Sequence, residues 1–184
     1  MKEAVVLIDN GYLSKISKHF GGGKYLKIDI SQFAIDMAKS QGFWCKEIYF
    51  YTAPPFQSSP STKEEDERKA NYDKFVAKLR KLNIVVREGR LQKINSTYKQ
   101  KGVDTLLTMD LMSISKSKEK RTIILLACDT DFVPILNQAR ADGNEVILFY
   151  FSDYKRKSSF SMSNYILTAC DKSVLLTKKF FEKT

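Results

Sequence analysis

Two short apolar runs constrain this chain most, because each ends on aspartate. The first is Ala4 to Ile8, AVVLI, followed by Asp9-Asn10-Gly11. The second is Thr122 to Ala127, TIILLA, followed by Cys128-Asp129-Thr130-Asp131. Runs this short, β-branched and continuously apolar read as strands buried on both faces. Between and after them lie segments with helical periodicity. Ile30, Phe33, Ala34, Met37 and Ala38 predict a helix from about Ser31 to Ser40. Thr62-x-x-Glu65 has the form of a capping box, opening a helix with Tyr72, Phe75, Val76, Leu79 and Leu82 on one face. Val103 to Ser115 and Phe132 to Ala141 predict two more, with Pro134 tolerated in a first turn.

Further strands are expected at Glu47 to Thr52, Ile84 to Arg87 and Glu145 to Phe151, with a last one at Val174 to Leu176. Asp9-Asn10-Gly11 reads as a turn, and Gly89 to Gln100 as an exposed connection or short hairpin. Strands alternating with helices predict an α/β fold with a mostly parallel sheet covered on both faces. At 184 residues the chain suits one domain, with its core at about 4–151 and a C-terminal extension at about 152–184.

In such a sheet, ligands bind beyond the carboxyl ends of the strands, near a switch in strand order. That directs attention to Asp9, Asp129 and Asp131. A carboxylate at a strand-to-helix turn is also a good helix N-cap, and Asp131 is the more natural cap of its pair. Capping does not account for a second acid two residues away, or for Asp9 on another strand. Carboxylates converging on one edge repel and desolvate one another unless a cation joins them. Hard oxygen ligands of this kind suit Mg²⁺ or Mn²⁺. Asp104, in the first turn of its predicted helix, is a fourth candidate, although a helix dipole alone would favour an acid there. Asp110, six residues on, falls ~120° around that helix and is a weaker, outlying member.

Charge and cysteine content narrow the classes. Lys and Arg total 31 against 21 Asp and Glu, a net charge of +10. That favours a polyanionic partner, without excluding a basic protein that binds none. Cys45, Cys128 and Cys170 form neither a disulfide framework nor a zinc spacing, and one His argues further against zinc. They are expected to be buried, reduced thiols in a cytoplasmic protein. The start of the chain is too weakly apolar for a signal peptide, and no run approaches a membrane span.

The blocks LIDNGYL (7–13), KGVDTLLTMDL (101–111) and ACDTDFVPILNQARADGNEVILF (127–149), in that order, resemble the NYN domain. The likeness is closest to the LabA-like (DUF88) branch of the PIN-like nuclease superfamily. It spans roughly Val5 to Phe151. The resemblance implies a PIN-like three-layer α/β/α sandwich and metal-dependent cleavage of RNA. Carried over by position, Asp9, Asp104, Asp129 and Asp131 become catalytic metal-binding acids, with Asp110 as the later helix acid. The chain departs from the family pattern at Ala127-Cys128, where Ser-Gly is usual, at Asn10, where Gly is commoner, and at Tyr12, where Asn is frequent. None of these departures removes a carboxylate.

A hydrolytic site of this type needs no Ser or Cys nucleophile, and Cys128 reads as core. Substrate, expected to be single-stranded RNA, would be held by Asn10, Tyr12, Lys15, Lys18, Lys99, Lys101, Lys155, Arg156 and Lys157. Tyr154 beside the last three could stack a base. The densely charged face of the helix after Thr62 reads as a solvated surface. A homo-oligomer is compatible with the sequence. Two other functions stay open: a PIN-like module that binds RNA or protein but cuts little, and a small-molecule phosphotransfer enzyme. Gly11 stands where an aspartyl-nucleophile phosphatase usually has its second acid, and the strand ending Phe149-Tyr150-Phe151 lacks the lysine of a receiver-like switch.

Overall fold

A computed structural model describes residues 2–94, 97–153, 158 and 160–182. The elements run β1 (Lys2–Asp9), α1 (Asn10–Phe20), α2 (Ile30–Ser40), β2 (Phe43–Thr52), α3 (Lys63–Lys81), β3 (Val85–Glu88), β4 (Arg90–Ile94), β5 (Thr97–Lys101) and α4 (Val103–Ser115). They continue with β6 (Thr122–Leu126), a 3-10 turn at Thr130–Phe132, α5 (Val133–Ala141), β7 (Glu145–Tyr150), α6 (Asn164–Thr168), β8 (Lys172–Leu175) and α7 (Lys178–Phe181).

Six strands form one parallel sheet in the order β3-β2-β1-β6-β7-β8. The chain first builds outward from β1 through β2 to β3, then returns beside β1 and builds the other way. The switch in direction falls between β1 and β6. These central strands are the two runs that the sequence marked, and Val5 to Ile8 and Ile123 to Leu126 are essentially inaccessible to water. Each fully buried aliphatic side chain there contributes ~1.5–3 kcal/mol relative to exposure. Helices flank the sheet, giving the expected α/β/α layering. Phe20 of α1 and Phe33 of α2 both pack on Phe181 of α7, so these three helices share one layer. On the other side α4 packs against β2, β3 and α5.

The order of elements follows the sequence expectation with one large exception. No helix is expected directly after β1, since Asn10-Gly11 has turn composition. The structure instead begins α1 at Asn10. Asp9 caps it, with an extended backbone and a side-chain oxygen that accepts the Gly11 N–H at 2.8 Å. Leu13, Ile16 and Ser17 then face inward at helical spacing. The cap outweighs the local turn preference because it satisfies an N–H that would otherwise lack a partner.

The capping box at Thr62 and Glu65 forms as its sequence predicts. Only Val76 and Leu79 of the apolar stripe on α3 are buried, however; Phe75 and Leu82 are exposed. Beyond residue 151, β8 joins the sheet and Ile166, Leu176 and Phe181 enter the core, so this stretch completes the fold. Cys170 is buried as expected, whereas Cys45 and Cys128 are only half-buried.

The hairpin suggested between Gly89 and Gln100 is β4 paired antiparallel with β5, forming a separate two-stranded sheet. Gly89 sits at its foot. A side chain there would bring Cβ within 2.5 Å of the Lys101 carbonyl oxygen, so only glycine lets the two ends close.

Candidate active site

In a parallel sheet every strand ends at the same edge, and the helix that follows begins there. Asp9 ends β1 and Asp129 follows β6, so both lie at the carboxyl edge beside the switch point. Asp104 enters from the hairpin side, in the first turn of α4. Gly102, with φ +81°, turns the chain into that helix. The starts of α1, α4 and the 3-10 turn before α5 thus surround the acids, where partial positive charge favours carboxylates.

The cap assignment within the second pair is reversed from expectation. Asp129, not Asp131, is the N-cap: its Oδ1 accepts the Asp131 N–H at 2.9 Å. The reason is positional, since the turn starts at Thr130 and its first free N–H groups point back to Asp129.

Charge couples Asp104 to Asp9 on one side and to Asp129 and Asp131 on the other. Burial pushes the Asp9 carboxyl up to about 6, against the lowering effect of the Gly11 and Tyr12 N–H groups; Asp104 raises it further and Lys15 opposes. Loss of hydration raises the Asp104 carboxyl as well, and the charges of Asp129 and Asp131 add to it, again opposed by Lys15. Among the described residues none of the four carboxylates has an ion-pair partner. Their oxygen donors suit a hard divalent cation, which would relieve the repulsion. As placed, no three Asp, Glu, His or Cys side chains among the described residues stand together closely enough to hold an ion. The four carboxylates thus offer the donor chemistry of a hard divalent-cation site without, as placed, its spacing.

The other sequence candidates separate. Asp110 is no part of this group. Arg87 donates to both its oxygens, from Nε at 2.9 Å and Nη2 at 2.8 Å, and the Tyr51 hydroxyl donates at 3.0 Å. Since Tyr51 pairs with Asp9 across β1 and β2, this network fastens α4 to the sheet next to the acids. Arg87 and Tyr51 were not candidates from sequence, because the network joins side chains from three elements. Tyr12, expected to touch substrate, is 1% exposed, and its hydroxyl accepts the Phe151 N–H at 2.7 Å. It is a core residue that ties α1 to the end of β7. Asn10 donates to Thr52 Oγ1 at 3.1 Å and accepts from Ser14, holding the start of α1 against β2.

Lys15 is exposed and also lines a hollow with Lys18, His19 and Phe160. Lys101 is exposed at the end of β5. Tyr154, Lys155, Arg156 and Lys157 lie outside the described residues. The half-buried Cys128 thiol is pushed up to about 12 by burial, with Asp9 adding to the effect, so it stays protonated at neutral pH.

A six-stranded parallel α/β/α sandwich with strand-end acids at its switch point defines a protein of the PIN-like class. The NYN domain profile matches residues 3–176, and the chain belongs to that family of PIN-like nucleases. No curated protein matches it at a significant level. Among the described residues no helix is long and apolar enough to cross a membrane.

Proposed function

We propose that this protein is a metal-dependent ribonuclease of the LabA-like branch, acting on single-stranded RNA. The observation that carries the reading is the position of Asp9 and Asp129 at the carboxyl ends of the adjacent strands β1 and β6, with Asp104 coupled by charge to both. Asp9, Asp104 and Asp129 would hold Mg²⁺ or Mn²⁺, with Asp131 assisting directly or through water. Bound there, the cation would acidify a water molecule and neutralise charge on the scissile phosphodiester. The chain's own residues do the rest. The N–H groups of Gly11 and Asp131 fix the orientation of two carboxylates. One of these four carboxylates helps to position the attacking water. Lys15 supplies a cation next to Asp9 and Asp104, placed to hold a substrate phosphate.

Labelled single-stranded RNA incubated with Mg²⁺ or Mn²⁺ tests this directly. Cleavage by the wild type should be lost in Asp9→Asn and in Asp129→Asn. Mn²⁺ binding, followed by electron paramagnetic resonance without RNA, should weaken in the same variants. Cleavage undiminished in both would sink the reading. RNA bound without product, indifferent to chelator, would favour a non-cutting binding module instead.

A further inference from the structure

The β4–β5 hairpin is left without a role by the acid site, and its composition is unusual. From Arg90 to Lys101 it carries Arg90, Lys93, Lys99 and Lys101 and no acid. Among the described residues none of these cations has an ion-pair partner. All of β5 is exposed. A two-stranded sheet is marginal by itself, so a hairpin kept outside the main sheet calls for another reason to exist.

Aromatic rings accompany the charge. Lys93 and Tyr98 are directly opposite in the ladder. Phe56, in the loop after β2, meets Tyr98 with ring centroids 5.4 Å apart and planes at 52°. The Lys93 ammonium lies 5.8 Å from the Tyr98 centroid and 6.0 Å from that of Phe56. Tyr98 is nevertheless 53% exposed. Opposed residues of a ladder share a face and neighbours alternate, so Lys93, Tyr98 and Gln100 lie on one face of the hairpin, while Arg90, Lys99 and Lys101 lie on the other.

The hairpin also reaches the acids. The Gln100 side-chain oxygen and the Asp9 Oδ1 each lie 3.1 Å from where a Cβ on Gly11 would stand. One end of the hairpin therefore abuts the start of α1, and Lys101 precedes Asp104 by three residues. Unpartnered cations match phosphates, and open rings match the faces of unpaired bases.

We propose that the β4–β5 hairpin, together with Phe56, is the arm that holds a single-stranded nucleic acid as it enters the acid edge. Tyr98 and Phe56 stack a base and Lys93 holds the phosphate beside it, while Arg90, Lys99 and Lys101 on the other face add to the positive potential that draws the strand in. The direction of the strand, toward Asp9, rests on the nuclease reading; the binding itself does not.

The test is fluorescence anisotropy with a short labelled oligoadenylate RNA, in chelator so that nothing is cut, on the full chain. Tyr98→Ala should weaken binding about ten-fold or more, as the loss of one base–aromatic stack of ~1–3 kcal/mol implies. Tyr98→Trp should restore it, and an RNA duplex should be held equally by all three proteins. Removing the cation beside the rings in Lys93→Gln should flatten the dependence of log K on log salt by about 0.7. Circular dichroism checks folding, which an exposed hairpin residue should leave intact. Equal single-strand affinity in the wild type and Tyr98→Ala overturns the proposal, as does a Trp variant no better than Ala, or no RNA binding at all. A wild type that binds through Tyr98 yet never cleaves with Mg²⁺ or Mn²⁺ would uphold the arm and defeat the nuclease. One that cleaves while Tyr98→Ala binds normally would do the reverse.

Discussion

Carboxylates at the amino edge of the main sheet and those beside its switch point are treated in opposite ways. Toward the amino edge they are matched. Glu3 meets Lys46 at 2.5 Å, Glu47 meets Arg121 at 2.7 Å, Asp171 meets Arg140 at 2.8 Å, and Asp142 takes bonds from Ser115, Lys116 and Gln138. A hollow of about 590 Å³ at this edge is lined by Lys2, Lys46, Lys120 and Arg121 alongside Glu3, Glu119 and Glu145, a surface of mixed sign. Beside the switch point no ion pair joins Asp9, Asp104, Asp129 or Asp131 among the described residues; the charge of Asp104 acts on Asp9, those of Asp129 and Asp131 act on Asp104, and Lys15 opposes on the first two. Matched acids stabilise a fold; crowded acids cost stability and persist where function requires them.

The largest expected effect comes from removing charge at the crowded edge. Asp9→Asn should abolish cleavage, a loss of at least a hundred-fold, as removal of one electrostatic stabiliser typically gives. It should also stabilise the metal-free protein at neutral pH, by on the order of 1–3 kcal/mol, because a neutral amide escapes the penalty on the ionised carboxyl and can still cap α1. Urea denaturation in chelator measures that gain. A variant both inactive and less stable would break the contrast.

Next in size is the response to metal. Mg²⁺ or Mn²⁺ at a hundred times its dissociation constant should stabilise the wild type by about 2.7 kcal/mol. Asp129→Asn should show much less of this in a thermal melt. Asp110 supplies a control one step from the site. Asp110→Asn should cost about 1–3 kcal/mol, discounted for the partial exposure of Arg87. Its Mn²⁺ affinity should fall far less than that of Asp104→Asn.

The smallest effect, and the sharpest in sign, is the pH dependence. The Asp9 carboxyl is raised from 3.8 to about 6 in the fold. Its protonated form is the favoured one, so its contribution is present below pH 3.8 and lost as pH rises through 6. The Asp142 carboxyl is held down to about 2, by the Ser115 hydroxyl first and then Lys116. Its contribution is present above pH 3.8 and lost as pH falls toward 2. Melting curves should therefore show Asp9→Asn gaining on the wild type as pH climbs from 4 to 7. Asp142→Asn should trail at pH 7 and draw level in acid. Parallel curves for the two variants would erase the distinction between the edges.

What was legible in the sequence follows from how local each signal is. The parallel sheet announced itself through AVVLI and TIILLA, because a strand buried on both faces has no polar positions to interrupt it. The hairpin and the capping box of α3 are also short-range patterns. α1 escaped notice because Asn10-Gly11 carries turn propensity, although Asp9 with Leu13 and Ile16 at helical spacing was available as a signal. The core role of Tyr12 and the partners of Asp110 are hidden in the sequence for a shared reason. Arg87, Tyr51 and the Phe151 N–H, which engage them, come from distant segments that only the folded chain assembles. The same holds for the cluster of His19, Phe20, Phe151, Phe160 and Phe181, whose members are scattered over both ends of the sequence.

Because Gly89 and Lys101 bring the two ends of the hairpin together at a single point, everything between them behaves as a removable cassette. A strand-swapped or trimmed insert could be grafted at that junction while the buried sheet stays as it is. On the proposed reading the arm and the scaffold are separable parts, and exchanging only the cassette should change what is held while the acid edge stays as it is.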